Sequence, residues 1–506
     1  MTDVTEVLRL DESGLSLMIF PLFPFAQALP VPTVPAPVPT SPPIQVPEPP
    51  KRPVPPVFVL PPQEDIAPQE SLPRQEMLQV QEIRTLPGQL DEVPVFNSNS
   101  PEMVLDEGVL LSTLPPEGKL FPKAHLNYAF NGRFDVFSHH ISRASTPSQI
   151  RSLFQGILVQ NPGTQAVTIE VLQAASYLTR PDALFIELPD YQEDPIGTVF
   201  SGPGSRVMND ILRGRRQGSL PTWLVIPPGE SRMLMNLPIP AGLVTPTSNG
   251  RSTFMRLRSS GPVYLASLAM YAPRNLDGTE RIPTPEEWQQ FALTANLAGP
   301  RDLPPTPPTE RRERVIYGRV AGVAQGSQWQ AKLTDSPNGD RLTIPRPGAA
   351  FSYGISTLPR GTFGTGQVQS AKMLVRYPDT AYLANGNYGI QYSLTLPLHN
   401  NTRQAQKVAL LFETPIKQDR SKQEAIFFNP PEPKIFFRGT VRVQYQDDAG
   451  GKQTRFVHLV QRRGQQGSPL VTLKLPAGDR RLVEVDFLYP PDATPPQLLT
   501  VRTLKD

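Results

Sequence analysis

Short runs in which apolar and polar residues alternate recur along most of the chain, and they predict β-strands. Residues 132–137 and 252–258 alternate with a period of two, which places successive side chains on opposite faces of a strand. Residues 263–271 are nearly all apolar, as in a strand that is buried on both faces. Turn signals at residues 161–163 and 260–262 separate such runs. The pattern predicts a mainly β protein built of many short strands.

Two parts of the chain share one order of strands and turns. Residues 157–171 contain a strand that ends at Asn, a turn and a second strand, and residues 394–412 repeat this order. Farther on, residues 222–232 match residues 470–480, because each contains a strand followed by Pro, Gly, an acidic residue and Arg. The repeat predicts two β-sandwich domains with an immunoglobulin-like pattern.

Helices are predicted at only a few places. Thr284 followed by Glu287 is typical of a capping box, and residues 288–295 then present one apolar face. We expect this helix to pack between the two domains. A shorter start of the same kind lies at residues 146–149, and a third candidate spans residues 205–213.

The N-terminal region resembles a secretory signal followed by a spacer. An apolar run at residues 15–25 ends in Ala26-Gln27-Ala28, which fits a signal-peptide cleavage site. Residues 1–14 are acidic, whereas a signal peptide begins with positive charge. Translation starting at or near residues 15–18 would explain this, and a disordered cytosolic tail is the alternative. We favour export, because the cleavage motif and the tract after it agree.

Proline marks the divisions of the chain. Of the 62 prolines, 15 lie within residues 30–62, where they predict a disordered polyproline II segment. A second proline-rich break at residues 300–308 divides the remainder into halves of domain size. The predicted organisation is a signal segment at 1–28, a Pro-rich disordered linker at 29–76, β-rich domain 1 at 77–283, a helix and linker at 284–312, and β-rich domain 2 at 313–506.

Composition excludes several classes of protein. The chain has no cysteine, which excludes disulfides, thiol catalysis and cysteine-ligated metals. The formal net charge is only +3, so the sequence predicts no nucleic-acid partner. No apolar stretch reaches the roughly 20 residues that a transmembrane helix needs, and none is predicted.

Histidine does not indicate a metal site. Three of the five histidines, His125, His139 and His140, lie close in sequence. Adjacent side chains on a strand point to opposite faces, so His139 and His140 are poorly placed to share one ion. The sequence therefore predicts neither a metal nor another cofactor.

The best candidate for a ligand site is a basic segment at the third helix. A glycine-rich entry at residues 202–204 precedes the helix, and the positive end of a helix attracts anions. Arginine supplies a planar pair of donors for carboxylate, sulfate or phosphate groups. The predicted anion-binding residues are Ser205, Arg206, Arg213, Arg215 and Arg216; a capped helix with a solvated basic surface is the alternative.

A second segment offers groups that suit a sugar. Residues 385–387 read Asn-Gly-Asn and lie among Tyr377, Tyr382, Tyr388 and Tyr392. Aromatic rings and amides are common in sugar sites. Asn-Gly is also a strong turn signal, and we favour a hairpin with cross-strand tyrosines.

Several runs resemble one known family. They are residues 79–96, 97–102, 108–118, 202–207, 212–216 and 249–271. They resemble a cyanobacterial family catalogued as a domain of unknown function, number thirty-three-seventy, over most of residues 79–506. The resemblance implies a cyanobacterial source and an exported precursor, and it supplies no catalytic residues.

These observations lead to an expected function. We expect a non-enzymatic structural or adhesion protein that is secreted or held in the cell envelope, in the periplasm, the outer envelope or outside the cell. Its partners would be envelope polysaccharide or envelope protein. The sequence leaves enzymatic activity open: the alternative is a secreted enzyme or carbohydrate-binding accessory that acts on envelope polysaccharide.

The first prediction concerns the N-terminus. We expect the mature chain to begin at or near Leu29, because Ala26-Gln27-Ala28 fits a cleavage site. N-terminal sequencing of the native protein measures this directly. A chain recovered from the cytosol with residues 1–14 intact would contradict export.

Overall fold

The computed structural model describes residues 74–144, 146–242, 247–310 and 312–505. The predicted signal segment and all but the last residues of the proline-rich linker lie outside the described residues. The described part is mainly β, as predicted, with two α-helices and two single turns of 3-10 helix at Pro122–Ala124 and Pro147–Gln149. Neither described α-helix is long and apolar enough to cross a membrane.

Strands far outnumber helices along the described chain. The helices are α1 (Pro203–Leu212) and α2 (Pro285–Thr294). The strands are β1 (Gln75–Val80), β2 (Glu82–Arg84), β3 (Pro94–Ser98), β4 (Met103–Val104), β5 (Gly108–Ser112), β6 (Phe130–Arg143), β7 (Ser152–Gln160), β8 (Val167–Leu178), β9 (Tyr191–Glu193), β10 (Trp223–Ile226), β11 (Ser231–Pro240), β12 (Ser248–Tyr271), β13 (Ala321–Gln325), β14 (Gln328–Lys332), β15 (Leu342–Thr343), β16 (Ala350–Ile355), β17 (Ala371–Arg376), β18 (Leu383–Ala384), β19 (Gln391–His399), β20 (Gln406–Glu413), β21 (Glu424–Asn429), β22 (Ile435–Gln446), β23 (Lys452–Arg462), β24 (Pro469–Leu475), β25 (Arg480–Leu488) and β26 (Gln497–Thr503).

Strand β12 connects two layers of the first half of the chain. Its first part pairs with β6 and β8, and its second part pairs with β7 and β5. The turn predicted at residues 260–262 is wrong, because the strand continues through this segment as an irregularity. The register with β6 shifts there, pairing with β8 ends and pairing with β7 begins. A proline without an N–H donor is tolerated at such an irregularity. The apolar residues on the facing layers, among them Phe134, Ile157 and Leu257, form one buried core.

Helix α2 forms where the sequence predicts it. The Thr284 hydroxyl accepts a hydrogen bond from the Glu287 N–H, and the Glu287 carboxylate accepts one from the Thr284 N–H. The predicted position between two domains is wrong. Trp288 is fully buried among residues of the first half, and a Cβ at Gly156 would lie 2.8 Å from its ring. The absence of a side chain at Gly156 thus makes room for the indole.

The repeated order of strands is confirmed by the pairing. In the first half β7 pairs with β11 and β8 with β10; in the second half β19 pairs with β25 and β20 with β24. Asn161 and Asn400 occupy the same place in the two repeats. Each is fully buried, and its amide donates hydrogen bonds to three backbone carbonyls. Each thereby ties the turn after its strand to the end of another strand.

The two halves of the sequence share sheets. Strand β13 pairs with β3, β16 with β2, and β23 with β9, so that each pair joins a strand from before residue 200 to one from after residue 320. The described residues form one compact unit. The division into separable domains at residues 284–312 stays a prediction.

The second prediction concerns the buried asparagines. We expect Asn400→Ala to lower the free energy of unfolding by about 2–4 kcal/mol, because one buried hydrogen bond and two partly buried ones to backbone carbonyls are lost. Chemical denaturation measures this change. The matched control is Asn401→Ala at the neighbouring exposed position, which should change stability by less than about 0.5 kcal/mol. Equal stability of both variants would contradict the role of Asn400.

Candidate functional site

Helix α1 begins in a buried, tightly packed setting. Its N-cap is Gly202 with φ of 98°, where a Cβ would lie 2.4 Å from the Phe185 ring. A Cβ at Gly204 would lie 2.2 Å from Pro491 and 3.2 Å from a carboxylate oxygen of Asp492. The glycines predicted to open the helix are therefore needed for close packing, and the loop at residues 491–492 lies against the start of the helix.

The first two predicted ligand residues make internal contacts at this end. The Ser205 hydroxyl is buried, donates to the Gly202 carbonyl at 3.0 Å and accepts from the Ser201 N–H at 3.1 Å. The Arg206 guanidinium lies over the Tyr177 ring, 4.0 Å from its centre, and donates to the Asp182 carbonyl. Both side chains thus help to hold α1 against its surroundings.

Arg213 and Arg215 lie at the other end of the helix and line one of two adjoining cavities. The cavities have volumes of about 530 and 430 Å³ and share Gln173, Gly214 and Arg256. Because they adjoin, we treat them as one surface, the arginine groove. Its arginines are Arg133, Arg213, Arg215, Arg256 and Arg442. The last predicted residue, Arg216, does not line the groove; its guanidinium donates to the Leu220 carbonyl at 2.7 Å.

Buried aspartates hold most of these arginines. Arg213 lies 3.2 Å from Asp194, Arg215 lies 3.1 Å from Asp210, and Arg442 lies 2.9 Å from Asp486. Arg133 pairs with Asp135, which is fully buried and whose pKa is raised by burial. These four aspartates do not themselves line the groove, and their ion pairs restrict the orientation of the guanidinium groups that do.

Arg256 differs from the other four arginines. It is half-buried at the junction of the two cavities, and its guanidinium donates to the carboxamides of Gln173, at 3.1 Å, and Gln391, at 2.7 Å. Its Nε has no hydrogen-bond partner within the described residues. Burial lowers the pKa of Arg256, and the charge of Asp135 opposes this shift. A cation with neutral partners is the feature of the groove best suited to an added anion.

The structure thus divides the five predicted residues between two ends of a helix. It brings Arg213 and Arg215 together with Arg256 and Arg442, which come from strands far apart in the sequence. Ser205 and Arg206 lie at the opposite end of α1. The anion-binding role of the five residues stays a prediction.

A third cavity, of about 330 Å³, is lined by polar residues that lie far apart in the sequence. We call it the asparagine cavity. Four asparagines line it, together with Glu102, His139, Arg319, Tyr388 and Lys417; they are Asn97, Asn99, Asn385 and Asn387. The segment 385–388 considered for sugar contact therefore does face a cavity. Its companions Tyr377 and Tyr392 are buried elsewhere in the core.

Two of these asparagines have unused hydrogen-bonding capacity. Asn97 and Asn99 are only 4% and 7% exposed, and their side-chain oxygens have no partner in the described part of the chain. Asn387 is different, since its amide donates to Ser356 and Gln369 and accepts from the Ala371 N–H. A buried amide without a partner costs free energy, so Asn97 and Asn99 are unusual on stability grounds.

The charges at this cavity are coupled. Glu102 pairs with Arg319, and one of its carboxylate oxygens lies 3.6 Å from Nε2 of His139. His139 is the largest cause that lowers the pKa of Glu102 to about 2, and Arg319 adds to it. Burial raises the pKa of the nearby Asp492, and it raises the pKa of Tyr388 to about 12. Two neighbouring carboxyl groups thus have pKa values shifted in opposite directions.

The histidines are held separately, as the strand geometry predicts. Nδ1 of His139 lies 2.8 Å from the Ser252 hydroxyl, whereas Nε2 of His140 lies 2.9 Å from the Ser98 hydroxyl. Among the described residues, no group of three or more His, Asp or Glu side chains could hold a metal ion.

Comparison with protein families identifies the chain. The model of the family described as "Protein of unknown function (DUF3370)" matches residues 81–503. The chain belongs to this family. The resemblance drawn from residues 79–271 is thereby confirmed, and the matched DUF3370 region contains the arginine groove and the asparagine cavity.

Solved structures show only distant similarity to this DUF3370 member. Lac15 from a marine microbial metagenome is 11% identical, with 74% of this chain and 53% of that chain covered and a TM-score of 0.10. The chain thus spans about half the length of Lac15. Procruciferin, an 11S globulin from Brassica napus, is 12% identical over 79% and 85% of the two chains, with a TM-score of 0.11. Pumpkin seed globulin is 11% identical over 80% and 86%, with a TM-score of 0.09.

At these scores the similarities carry no information about fold or function. Comparison with curated proteins finds no match to this DUF3370 chain. The candidate sites therefore rest on their own geometry.

Sequence reasoning missed Arg256, Arg442, Asn97, Asn99 and Glu102 as site residues. Arg256 lies within residues 252–258, whose alternation predicts a strand, but that pattern does not distinguish Arg256 as a site residue. No local signal connects the run of residues 97–102 with Tyr388, because long-range strand pairing brings them together.

The third prediction concerns pH. Burial lowers the pKa of His125, His140 and His458 to about 4, below the ordinary value of about 6.5. Above pH 6.5 their contribution to stability is fully present. As the pH falls from 6.5 to 4, the unfolded chain binds protons that the folded chain does not, and stability is lost.

We expect His140→Gln to lessen this pH dependence by up to about 3 kcal/mol between pH 7 and 4, because it removes one of the three buried groups. Urea denaturation across this range measures the slope of unfolding free energy against pH. A slope identical to that of the unchanged protein would contradict the prediction.

Proposed function

We propose that the protein is a non-enzymatic component of the cell envelope and holds an anionic polysaccharide in the arginine groove. The proposal includes export to the periplasm, the outer envelope or the cell exterior, and a cyanobacterial source. It also includes the finer description of the fold as two immunoglobulin-like β-sandwich domains. Sulfated or uronic chains are the expected ligands, and envelope proteins are the second class of partner.

The observation that carries this proposal is the position of Arg256. It lies where the two parts of the groove meet, and within the described residues its guanidinium donates hydrogen bonds only to the carboxamides of Gln173 and Gln391. A carboxylate or sulfate group there would gain charge-assisted hydrogen bonds. Arg215 is exposed beside it and could contact the next acidic group of a repeating chain.

One observation favours the alternative, a secreted enzyme acting on envelope polysaccharide. Glu102 lines the asparagine cavity and has a lowered pKa, whereas burial raises the pKa of Asp492, and opposite shifts of two carboxyl groups occur in enzymes that use an acid and an ionised group. Release of new sugar ends from isolated envelope polysaccharide would favour this alternative. A protein present in stoichiometric amounts in the envelope, without such turnover, would favour the binding function.

The fourth prediction tests the groove. We expect the double variant Arg215→Gln and Arg256→Gln to bind alginate, a uronic polysaccharide, at least about 10-fold more weakly, since each lost charge-assisted hydrogen bond is worth about 1.5–3 kcal/mol. Binding of the unchanged protein should weaken steeply as salt rises, because exposed charges are screened within about 8 Å at physiological ionic strength. Affinity measured at several salt concentrations checks both expectations.

The matched control is Arg258→Gln. Arg258 lies two residues from Arg256 on β12 and is exposed, but it pairs with Glu170 and does not line the groove. It should retain alginate binding although, like each of the two groove substitutions, it removes one positive charge. Equal affinity of the double variant and the unchanged protein, with both folded, would overturn the proposed site.

A further inference from the structure

We propose that the asparagine cavity binds one neutral sugar residue through the amides of Asn97 and Asn99. This site is separate from the arginine groove and does not depend on it. The cavity is lined by residues of both halves of the sequence, and its volume of about 330 Å³ lies at the lower end of the range for small-molecule sites, about 300–1000 Å³.

The two asparagines are held rigidly in place. Asn97 lies on β3, between β6 and β13, where it is paired with Phe137 on one side and Gly322 on the other. The Asn99 N–H donates to the Val320 carbonyl at 2.8 Å just after the strand ends. Because side chains alternate along an extended chain, Asn97 and Asn99 share one face while Ser98 points to His140 on the other. The backbone thus presents both amides in a fixed orientation.

The unused capacity of these amides points to a ligand. Both side-chain oxygens are buried and unpartnered within the described residues, although each amide lines a cavity large enough for a guest. A fold selected for stability alone would do better with apolar side chains at both positions. Retaining two such amides on one wall is typical of groups that complete their hydrogen bonds with a bound molecule.

The other lining residues narrow the class of ligand. Lys417 and Arg319 at the same cavity disfavour a cationic guest, and the Glu102 carboxylate, which pairs with Arg319, disfavours an anionic one. A neutral molecule with several hydroxyl groups fits both conditions, because each hydroxyl can donate to an amide oxygen and accept from an N–H. Val320, Leu358 and Pro495 supply apolar surface for the C–H faces of such a ring.

The test uses saturation-transfer NMR on the full chain with three neutral probes, methyl α-glucoside, galactose and N-acetylglucosamine, and two charged ones, glucuronate and glucosamine. We expect transfer to at least one probe, and a loss of at least about 10-fold in the double variant Asn97→Leu and Asn99→Leu. The same variant should keep or raise the melting temperature, because it replaces unpartnered polar groups by apolar ones of similar size. Should this variant not fold, Asn99→Ala alone is expected to lose transfer while unfolding cooperatively.

Two controls test whether a loss of saturation transfer arises at the asparagine cavity or elsewhere in the protein. Asn161→Leu removes an asparagine whose hydrogen bonds are all made within the protein, so it should lower the melting temperature and keep the transfer. The groove variant Arg215→Gln and Arg256→Gln should bind the neutral probes normally. A failure to bind alginate would therefore not contradict the proposed sugar site. Likewise, a failure to bind the neutral probes would not contradict the arginine groove.

Several results would overturn the proposal. One is the absence of transfer to all three neutral probes, which would mean that the cavity holds only water. A second is equal transfer in the unchanged protein and a folded Asn97→Leu and Asn99→Leu variant. A third is transfer confined to glucuronate or to glucosamine, whose charges the cavity is expected to reject.

Discussion

Strand pairing between the two halves of the sequence is the constraint on which the rest of this structure depends. An unpaired strand edge leaves a row of N–H and carbonyl groups without partners, and in this protein several edges are completed by strands from the other half. β13 continues the sheet beyond β3, β2 borders β16, and β9 borders β23. The chain segments near these contacts are thereby held against one another, whatever their separation in sequence.

Both candidate sites follow from this arrangement. The arginine groove combines α1 and β12 with Gln391 of β19 and Arg442 of β22. The asparagine cavity combines β3 and β6 with the segments 384–388 and 491–495. Helix α1 is central to this packing, because nine of its ten residues are buried and its apolar residues belong to the core of the second half. Neither site would exist within one half of the sequence alone.

Buried polar groups differ in whether their hydrogen bonds are completed within the protein. Asp194 accepts hydrogen bonds from two backbone N–H groups, from Asn209 and from Arg213, and so fixes the end of α1. Asn161 and Asn400 are likewise satisfied within the protein. Arg256, Asn97 and Asn99 each keep an atom without a partner in the described residues. Trp288 and Asp135 also keep atoms without hydrogen-bond partners in the described part of the chain, but they line neither the groove nor the asparagine cavity. Function is expected where an unpartnered group lies on a residue that lines a cavity.

Local sequence information was sufficient for features that depend on nearby residues. The capping box of Thr284 and Glu287, the strands around Asn161 and Asn400, and the mainly β composition all follow from periodicity and short-range hydrogen bonding.

Features that depend on distant residues were missed or predicted wrongly. The strand through residues 260–262 persists because neighbouring strands pair with it on both sides of the irregularity. Trp288 packs into the first half because Gly156 leaves space there, and Asn97 meets Tyr388 only through pairing across the sequence. A turn signal or an apolar face indicates which local structures a segment can adopt. The strand or helix that the segment packs against depends on burial and hydrogen bonding in the whole fold.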